Sequence, residues 1–429
     1  MKSAKMEKPS DRLPFRTRFY YGWVMVIISG VGIFFSGPGQ TFSNSVFIES
    51  YVKDLSMNQT TVASIYSAAT LASGLLLFFL GRWVDRYGRR LMLTIAALLL
   101  GASCFYNSIV AGPVTLFIGF FLIRYFGQGS MTLIPNTLVS QWFYKYRGRA
   151  LSFAGLGGLI GAAAFPPLIN ALIDAYGWQS TWRMLGTVLI LFFVPTAYLF
   201  VRNKPEDVGL LPDGGKRTTD SGDGEDDTSA QTDSWTLSEA ARTRAFWFVM
   251  LCGAIPAMIN TGITFQIFSI LAQHGIDRMS TAFILSLIPI VSFSCSLLAG
   301  FAVERVKAHR VLSFAFALSM VTPVILIFAH SYSTAILYAV IWGIAQGFMN
   351  IPMGVIWPNY FGRRHLGSIQ GVTHTAGVIG SALGPIQFGW AYDQFGNYTG
   401  ILLVSAFIWG IGAVLSFLAP PPKRIKQVE

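Results

Sequence analysis

Charge is scarce in this chain. Only 12% of its 429 residues are Asp, Glu, Lys or Arg, about half the fraction usual for a soluble domain, while 53% are hydrophobic. A water-facing surface cannot be built from that composition. Cysteine is scarcer still: Cys104, Cys252 and Cys295 stand far apart inside apolar runs, with no Cys-x-x-Cys and no nearby pair of histidines, which argues against a disulfide framework or a cysteine-bound metal. There is no nucleophile and base set, no phosphate-cradling glycine loop and no nucleotide domain. The reading is therefore neither an enzyme nor an ATP-driven pump, and no cofactor and no metal is expected. The Gly-x-Gly patterns lie within hydrophobic stretches, where close helix packing accounts for them. A cleavage signal is missing too. The N-terminus is basic (Lys2, Lys5, Lys8, Arg12, Arg16, Arg18), but the apolar run after it outlasts a signal peptide and ends without Ala-x-Ala, so it is expected to stay as the first span.

What the chain has in abundance is apolar runs of bilayer-crossing length, about 20 residues each. They fall at 19–47, 58–80, 89–110, 112–139, 148–173, 180–201, 245–271, 280–303, 309–330, 333–357, 365–391 and 398–420, and are numbered as helices 1 to 12. Odd connections carry little positive charge, such as Lys53 and Arg278. Even connections carry Arg82, Arg86, Arg89 and Arg90, then Lys145, Arg147 and Arg149, then Arg305, Lys307 and Arg310, then Arg363 and Arg364. The net charge of +11 therefore sits in short clusters between apolar runs, a topology signal and not a nucleic-acid face. By the positive-inside rule both termini are cytoplasmic. The expected organisation is a cytoplasmic tail at 1–18, a six-helix bundle at 19–202, a flexible cytoplasmic linker at 203–244, a second six-helix bundle at 245–420 and a tail at 421–429. The linker is acidic at Asp220, Asp223, Glu225, Asp226 and Asp227; Trp235 to Arg244 is expected as a lead-in to helix 7, with a surface-lying amphipathic helix as the alternative.

The two halves are related. Gly81 to Arg90 returns in degraded form as Gly300 to His309, 219 residues later; Gln128-Gly129 recurs as Gln346-Gly347, Gly161 as Gly380, Pro166 as Pro385 and Gly177 as Gly396. Parallel repeats of about six spans are an architecture of secondary transporters. Gly81, Asp85, Arg86, Gly88, Arg89 and Arg90 resemble the helix 2 to 3 loop motif of the major facilitator superfamily. Arg124 with Gly127-Gln128-Gly129 resembles its helix 4 motif. Tyr20-Tyr21-Gly22-Trp23 and Arg147-Gly148-Arg149-Ala150 are in the style of its monocarboxylate-porter and oxalate-formate antiporter-like branch, although no acidic residue precedes Gly22 and helix 8 lacks the Asp-Arg pair of many monocarboxylate porters. The resemblance implies an all-α integral membrane protein, twelve transmembrane helices in two pseudo-symmetric six-helix bundles, rocking about a site near the bilayer midplane. It also implies a conformational latch made by Gly81, Asp85, Arg86, Gly88, Arg89 and Arg90, with Glu304 and Arg305 as the weaker second copy. The bland alternative is that the arginines only fix topology and meet lipid phosphate.

Few ionisable residues fall inside the spans. Arg124 on helix 4 and His374 on helix 11 approach the membrane centre from opposite sides. A buried guanidinium needs a cavity, a hydrogen-bond network or an anion, and Arg is shaped to grip a carboxylate with two parallel hydrogen bonds. The alternative is a packing network of Arg124 with backbone carbonyls and Gln128. His374 titrates near physiological pH, so it and Arg124 are the proton-coupling candidates, a satisfied packing histidine being the alternative. Polar residues on helices 1, 4, 7 and 10 complete the candidate substrate site: Gln40, Gln128, Asn260, Gln346 and Asn350, with Asn44 and Gln266 beside them. Gly155, Gly157, Gly158 and Gly161 on helix 5, and Gly371, Gly377, Gly380 and Gly384 on helix 11, are expected to let helices pack closely along the moving interface. The reading is a monomeric secondary active transporter of a small organic anion, a monocarboxylate or related acid, coupled to protons or a counter-substrate. It is placed in the cytoplasmic (inner or plasma) membrane, in contact with lipid and not nucleic acid. An efflux pump for amphipathic compounds and a non-transporting solute sensor are the alternatives.

Overall fold

A computed structural model describes residues 19–144, 146–214, 235–362 and 366–422. The expected tail at 1–18, Lys145, Arg363 and Arg364, and most of the tail at 421–429 lie outside the described residues. Within them every regular element is helical, and ten stretches are long and apolar enough to cross a membrane. One of the ten is two spans. Helix α7, Arg147–Val188, runs for 42 residues, about 63 Å if straight, twice a hydrocarbon core of about 30 Å. Its backbone leaves helical geometry at Gly177, with φ 77° and ψ 162°, a conformation that glycine adopts freely. Helix α14, Leu366–Phe395, is 30 residues long and brings the count to the expected twelve.

Three spans are interrupted within their length; in one, helix 6, a π turn at Leu189–Phe193 separates α7 from α8, Val194–Phe200. Helix α1, Gly22–Phe35, and helix α2, Thr41–Asp54, are parts of one span divided by a 3-10 turn at Gly37–Gly39. Pro38 lacks the N–H that would continue the ladder. Helix α5, Pro113–Ile123, passes through a π turn at Arg124–Ser130 before α6, Met131–Trp142, resumes α geometry. The other long helices are α3, Gln59–Tyr87; α4, Arg89–Asn107; α10, Arg244–Ala272; α11, Arg278–Arg305; α12, Ala308–Ile327; α13, Tyr332–Phe361; and α15, Thr399–Phe417, while α8, Val194–Phe200, and α9, Leu237–Ala241, are short. Leu75, Leu191, Phe192, Leu297, Phe301 and Phe407 stand exposed on the helices, as lipid-facing positions must, while Trp142, Trp182 and Trp409 are fully buried.

By contact the chain clusters into two units, one of Met1–Asn44 with Ala72–Asp220, the other of Ser45–Leu71 with Ser221–Glu429. In the first unit α7 packs on α1 through glycine. A methyl group on Gly157 would run into the Gly30 carbonyl, and one on Gly161 would lie 3.4 Å from the Phe34 oxygen. In the second unit α14 packs on α10 in the same way, Gly380 against the Ala254 oxygen and Gly384 against the Met258 oxygen. Gly129 meets Leu77 and Gly347 meets Cys295, 218 residues on from both partners, and Gly177 and Gly396 both have positive φ. The duplication read from the sequence is thus a duplication of packing. The close approaches of Gly157, Gly161, Gly380 and Gly384 lie inside the units; Gly155 and Gly377 have nothing within 4 Å.

In the second unit, residues 45–71 are tied down by polar contacts at one end. Arg278 pairs with Glu49 and donates to the Val46 oxygen at 2.8 Å. Asp393 accepts from the Thr60 backbone N–H at 2.9 Å, and the Tyr66 and Phe265 rings lie 4.3 Å apart. The described ends of the expected linker are each bonded within a unit: Asp213 accepts from the Tyr144 and Tyr146 backbone N–H groups, and the Trp235 N–H donates to the Phe361 oxygen. A capping box of Thr236 and Glu239 opens α9 as the lead-in to α10.

Candidate site at the broken first span

The Gly-Pro-Gly turn lies directly on the π turn. A methyl group on Gly39 would be 2.7 Å from the Gln128 nitrogen and 2.7 Å from Gly127 Cα, and would also strike the Ile123 oxygen. All three are backbone atoms, so two glycine-bearing segments meet face to face because neither has a side chain in the way. The interruption frees carbonyls in the membrane interior, where each orphan is costly. Two side chains satisfy them. Arg124, 3% exposed, donates from Nη1 to the Gly39 oxygen and to Thr41 Oγ1, both at 3.3 Å. Asn44 donates from Nδ2 to the Pro38 oxygen at 3.2 Å, and also at 2.8 Å to the Gln40 oxygen, which already accepts the backbone N–H groups of Ser43 and Asn44.

Acceptors on both interrupted segments are also left over. Asn44 Oδ1 and Gln128 Oε1 are buried without a partner among the described residues. Gln40 Nε2 donates to Ser36 Oγ at 3.0 Å. The structure therefore brings together three of the expected substrate residues, Arg124, Gln128 and Gln40, and adds Thr41. The signal for Thr41 was present as Gly37-Pro38-Gly39 within an apolar run, a mark of a discontinuous helix, whose second segment starts with its N–H groups turned toward the break.

The remaining candidates lie in the second unit. Asn260 on α10 and Gln346 on α13 are partly exposed, and Asn350 on α13 is exposed. None of the three side chains hydrogen-bonds to another described residue. Gln266 is buried and accepts from the Tyr398 hydroxyl at 3.3 Å. His374 falls on α14, but its side chain, like that of Gln370, lies outside the described residues.

The Gly81–Arg90 motif joins α3 to α4 in the first unit. Gly88, with φ 85° and ψ 156°, is the residue before α4. A side chain there would meet Asn203, whose Oδ1 accepts from the Arg90 N–H at 2.8 Å. Arg89 Nη2 pairs with Asp85 Oδ1 at 3.5 Å, with the Asp85 side chain 77% exposed. Arg90 Nε donates to the Tyr198 oxygen at 2.8 Å, and its guanidinium stands over the Tyr198 ring. Arg86 stands over Tyr87. Gly81 has nothing within 4 Å of its missing side chain. In the second copy Glu304 and Arg305 are both exposed.

The sequence profile of the Major Facilitator Superfamily matches residues 29–385 and again 250–429. The chain belongs to this superfamily. It is an integral membrane protein, as its spans require. Among superfamily relatives, it is similar to the riboflavin transporter RibJ of Trypanosoma cruzi (strain CL Brener), 28% identical over 186 residues, which is 42% of this chain and 39% of RibJ. The chain thus spans well under half of that relative's length. It is also similar to monocarboxylate transporter 2 of Rattus norvegicus, 21% identical over 403 residues, 90% of this chain and 81% of that one. Its fold is that of a superfamily crystal structure, the bacterial homologue of the human lysosomal transporter Spinster in an inward-facing, unoccupied conformation. The TM-score is 0.69 at 15% identity over 93% of this chain and 97% of that one.

Proposed function

We propose that this superfamily member is a secondary active transporter of a small organic anion, a monocarboxylate or related acid, working by alternating access and driven by protons or by exchange. The observation that carries the proposal is the buried Arg124 guanidinium at the junction of the broken first span and the π turn. A π turn within a membrane helix is a frequent mark of a functional site, and a cation held at that depth is functional by default. Arg124 bonds include two to neutral oxygens at 3.3 Å, and a carboxylate would offer shorter charge-assisted bonds of about 2.7–2.9 Å. Gln128, Gln40, Asn260, Gln346 and Asn350 orient the substrate. His374 and Arg124 are the proton-coupling residues of this reading, and Gly81 to Arg90, with Glu304 and Arg305, are its cytoplasmic latch. The six-helix halves are 19–202 and 245–420, both termini are cytoplasmic, and the membrane is the inner or plasma membrane. The likeness to a monocarboxylate transporter over most of the chain supports an acid as cargo.

The experiment is uptake of labelled mono- and dicarboxylates into proteoliposomes with and without an inward proton gradient, for the wild type, Arg124→Lys and Arg124→Gln. Loss of a charge-assisted pair costs about 1.5–3 kcal/mol, so Arg124→Gln lowers acid uptake at least about tenfold, and Arg124→Lys retains part of it. Wild-type acid uptake by a folded Arg124→Gln protein would overturn the assignment. Selective uptake of neutral or cationic solutes, with none of acids, would overturn the substrate class.

A further inference from the structure

Two histidines that none of the preceding argument uses meet beyond the C-terminal ends of α10 and α12 in the second unit. His274 Nδ1 and His330 Nδ1 are 3.1 Å apart, the rings inclined at 79° with centroids 4.6 Å apart. Neither position is accidental in its backbone. Helix α10 ends in a Schellman motif: the Gly275 N–H donates to the Ala272 oxygen, the Ile276 N–H donates to the Leu271 oxygen, Gly275 has φ 76°, and Ile276 is buried beneath. This motif satisfies the last carbonyls of a helix and fixes where the chain leaves it, so His274 is held at a set angle. Gln273 anchors the same corner by donating to the Gly396 oxygen at 2.7 Å. His330 immediately precedes Ser331, which caps α13 in a capping box with Thr334, and its own N–H donates to the Phe328 oxygen at 2.8 Å. Two capping motifs therefore aim two imidazoles at one point.

We propose that His274 and His330 form a two-imidazole binding site for a divalent transition-metal ion of the Zn2+ class. In the neutral pair one Nδ1–H donates to the other Nδ1. Moving that proton to Nε2 of the donor ring leaves two Nδ1 lone pairs facing each other with no net charge change. Two nitrogens bound to a tetrahedral zinc at about 2.0–2.1 Å stand about 3.3 Å apart, close to the 3.1 Å found here. His330 is exposed and His274 partly so, so an ion reaches the site from solvent. Among the described residues no third His, Cys, Asp or Glu joins them, so water fills the other positions. An open coordination sphere of this kind suits an exchangeable, regulatory ion and not a structural one. Bound metal would clamp the end of α10 to the turn between α12 and α13.

The test uses the full chain purified without an affinity tag, titrated with Zn2+ by calorimetry as wild type, His274→Gln, His330→Gln and, as a control elsewhere, His309→Gln. The expected result is one Zn2+ per chain, with affinity reduced at least about tenfold by either of the first two substitutions and unchanged by the third. X-ray absorption at the zinc edge should show imidazole nitrogens at about 2.0–2.1 Å. Absence of binding to the wild type, unchanged isotherms in His274→Gln and His330→Gln, or a zinc shell without imidazole would each overturn the proposal. Because the readout is binding, it stands or falls separately from the transported substrate.

Discussion

Gly39→Ala is the sharpest test of the broken first span. The added methyl would lie 2.7 Å from the Gln128 nitrogen and 2.7 Å from Gly127 Cα, where ordinary van der Waals contact begins at 3.4 Å. Its neighbours are backbone atoms, so no rotamer change relieves the overlap, and the 3-10 turn must move off the π turn. Overpacking of this kind costs about 1–3 kcal/mol. The same movement carries the Gly39 oxygen away from Arg124, whose Nη1 it accepts at 3.3 Å, and a weakened hydrogen bond to a charged group adds up to about 1.5–3 kcal/mol. Gly155→Ala is the control, since nothing lies within 4 Å of that position and Ala improves an open helix by about 0.5–1 kcal/mol. Thermal unfolding of the two variants in one detergent should place Gly39→Ala clearly below the wild type and Gly155→Ala at or above it. Equal unfolding temperatures for Gly39→Ala and the wild type would refute the idea that the two turns are in direct backbone contact.

Gly88→Ala should cost about 1–3 kcal/mol, because φ 85° with ψ 156° is a glycine conformation and the methyl would stand 2.8 Å from Asn203 Oδ1; Gly81→Ala, in open space, should leave the unfolding temperature within error or raised. Asp277 caps α11 by accepting from the Ser280 N–H at 3.0 Å, so Asp277→Ala should lower stability by about 0.5–2 kcal/mol, read by chemical or thermal unfolding at neutral pH. The hydrogen bonds to Ser280 hold the Asp277 pKa below its ordinary value. Its contribution is therefore present above the unfolded carboxylate pKa of about 3.9 and is lost as pH falls through the lower folded value. Asp277→Asn should remove that acid dependence while keeping most of the cap; an acid limb of stability unchanged in both variants would sink the assignment.

Hydropathy located the spans well because burial in lipid demands length and apolarity of each helix alone. The repeat glycines were legible for a similar reason: Gly161 and Gly380 both sit where a helix faces a neighbour's carbonyl, and at Gly380 even a methyl group would overlap it. The Gly81–Arg90 motif was legible as residues, while the fit of Gly88 appears only when Asn203, far along the chain, is seen beside it. Other features depend on partners that sequence spacing does not encode. Arg124 and Gln128 are spaced as α-helical neighbours, and nothing local announces the π turn between them. That residues 45–71 cluster with the second unit follows from Glu49 meeting Arg278 and Thr60 meeting Asp393. His274 and His330 are each unremarkable in sequence, and come together only through two capping motifs 56 residues apart.

The single-residue bend at Gly177 bears on how the protein is made. With helical geometry running up to and away from one glycine, helices 5 and 6 have no connecting loop in which an epitope, a protease site or a glycan can be accommodated without cutting into a helix. The two arms must enter the bilayer as one hairpin, so neither can be inverted alone. Relocating the positive charges of Arg147 and Arg149 would have to flip both arms or neither. Split-chain reconstitution, tolerant of breaks at surface loops, should fail at this corner.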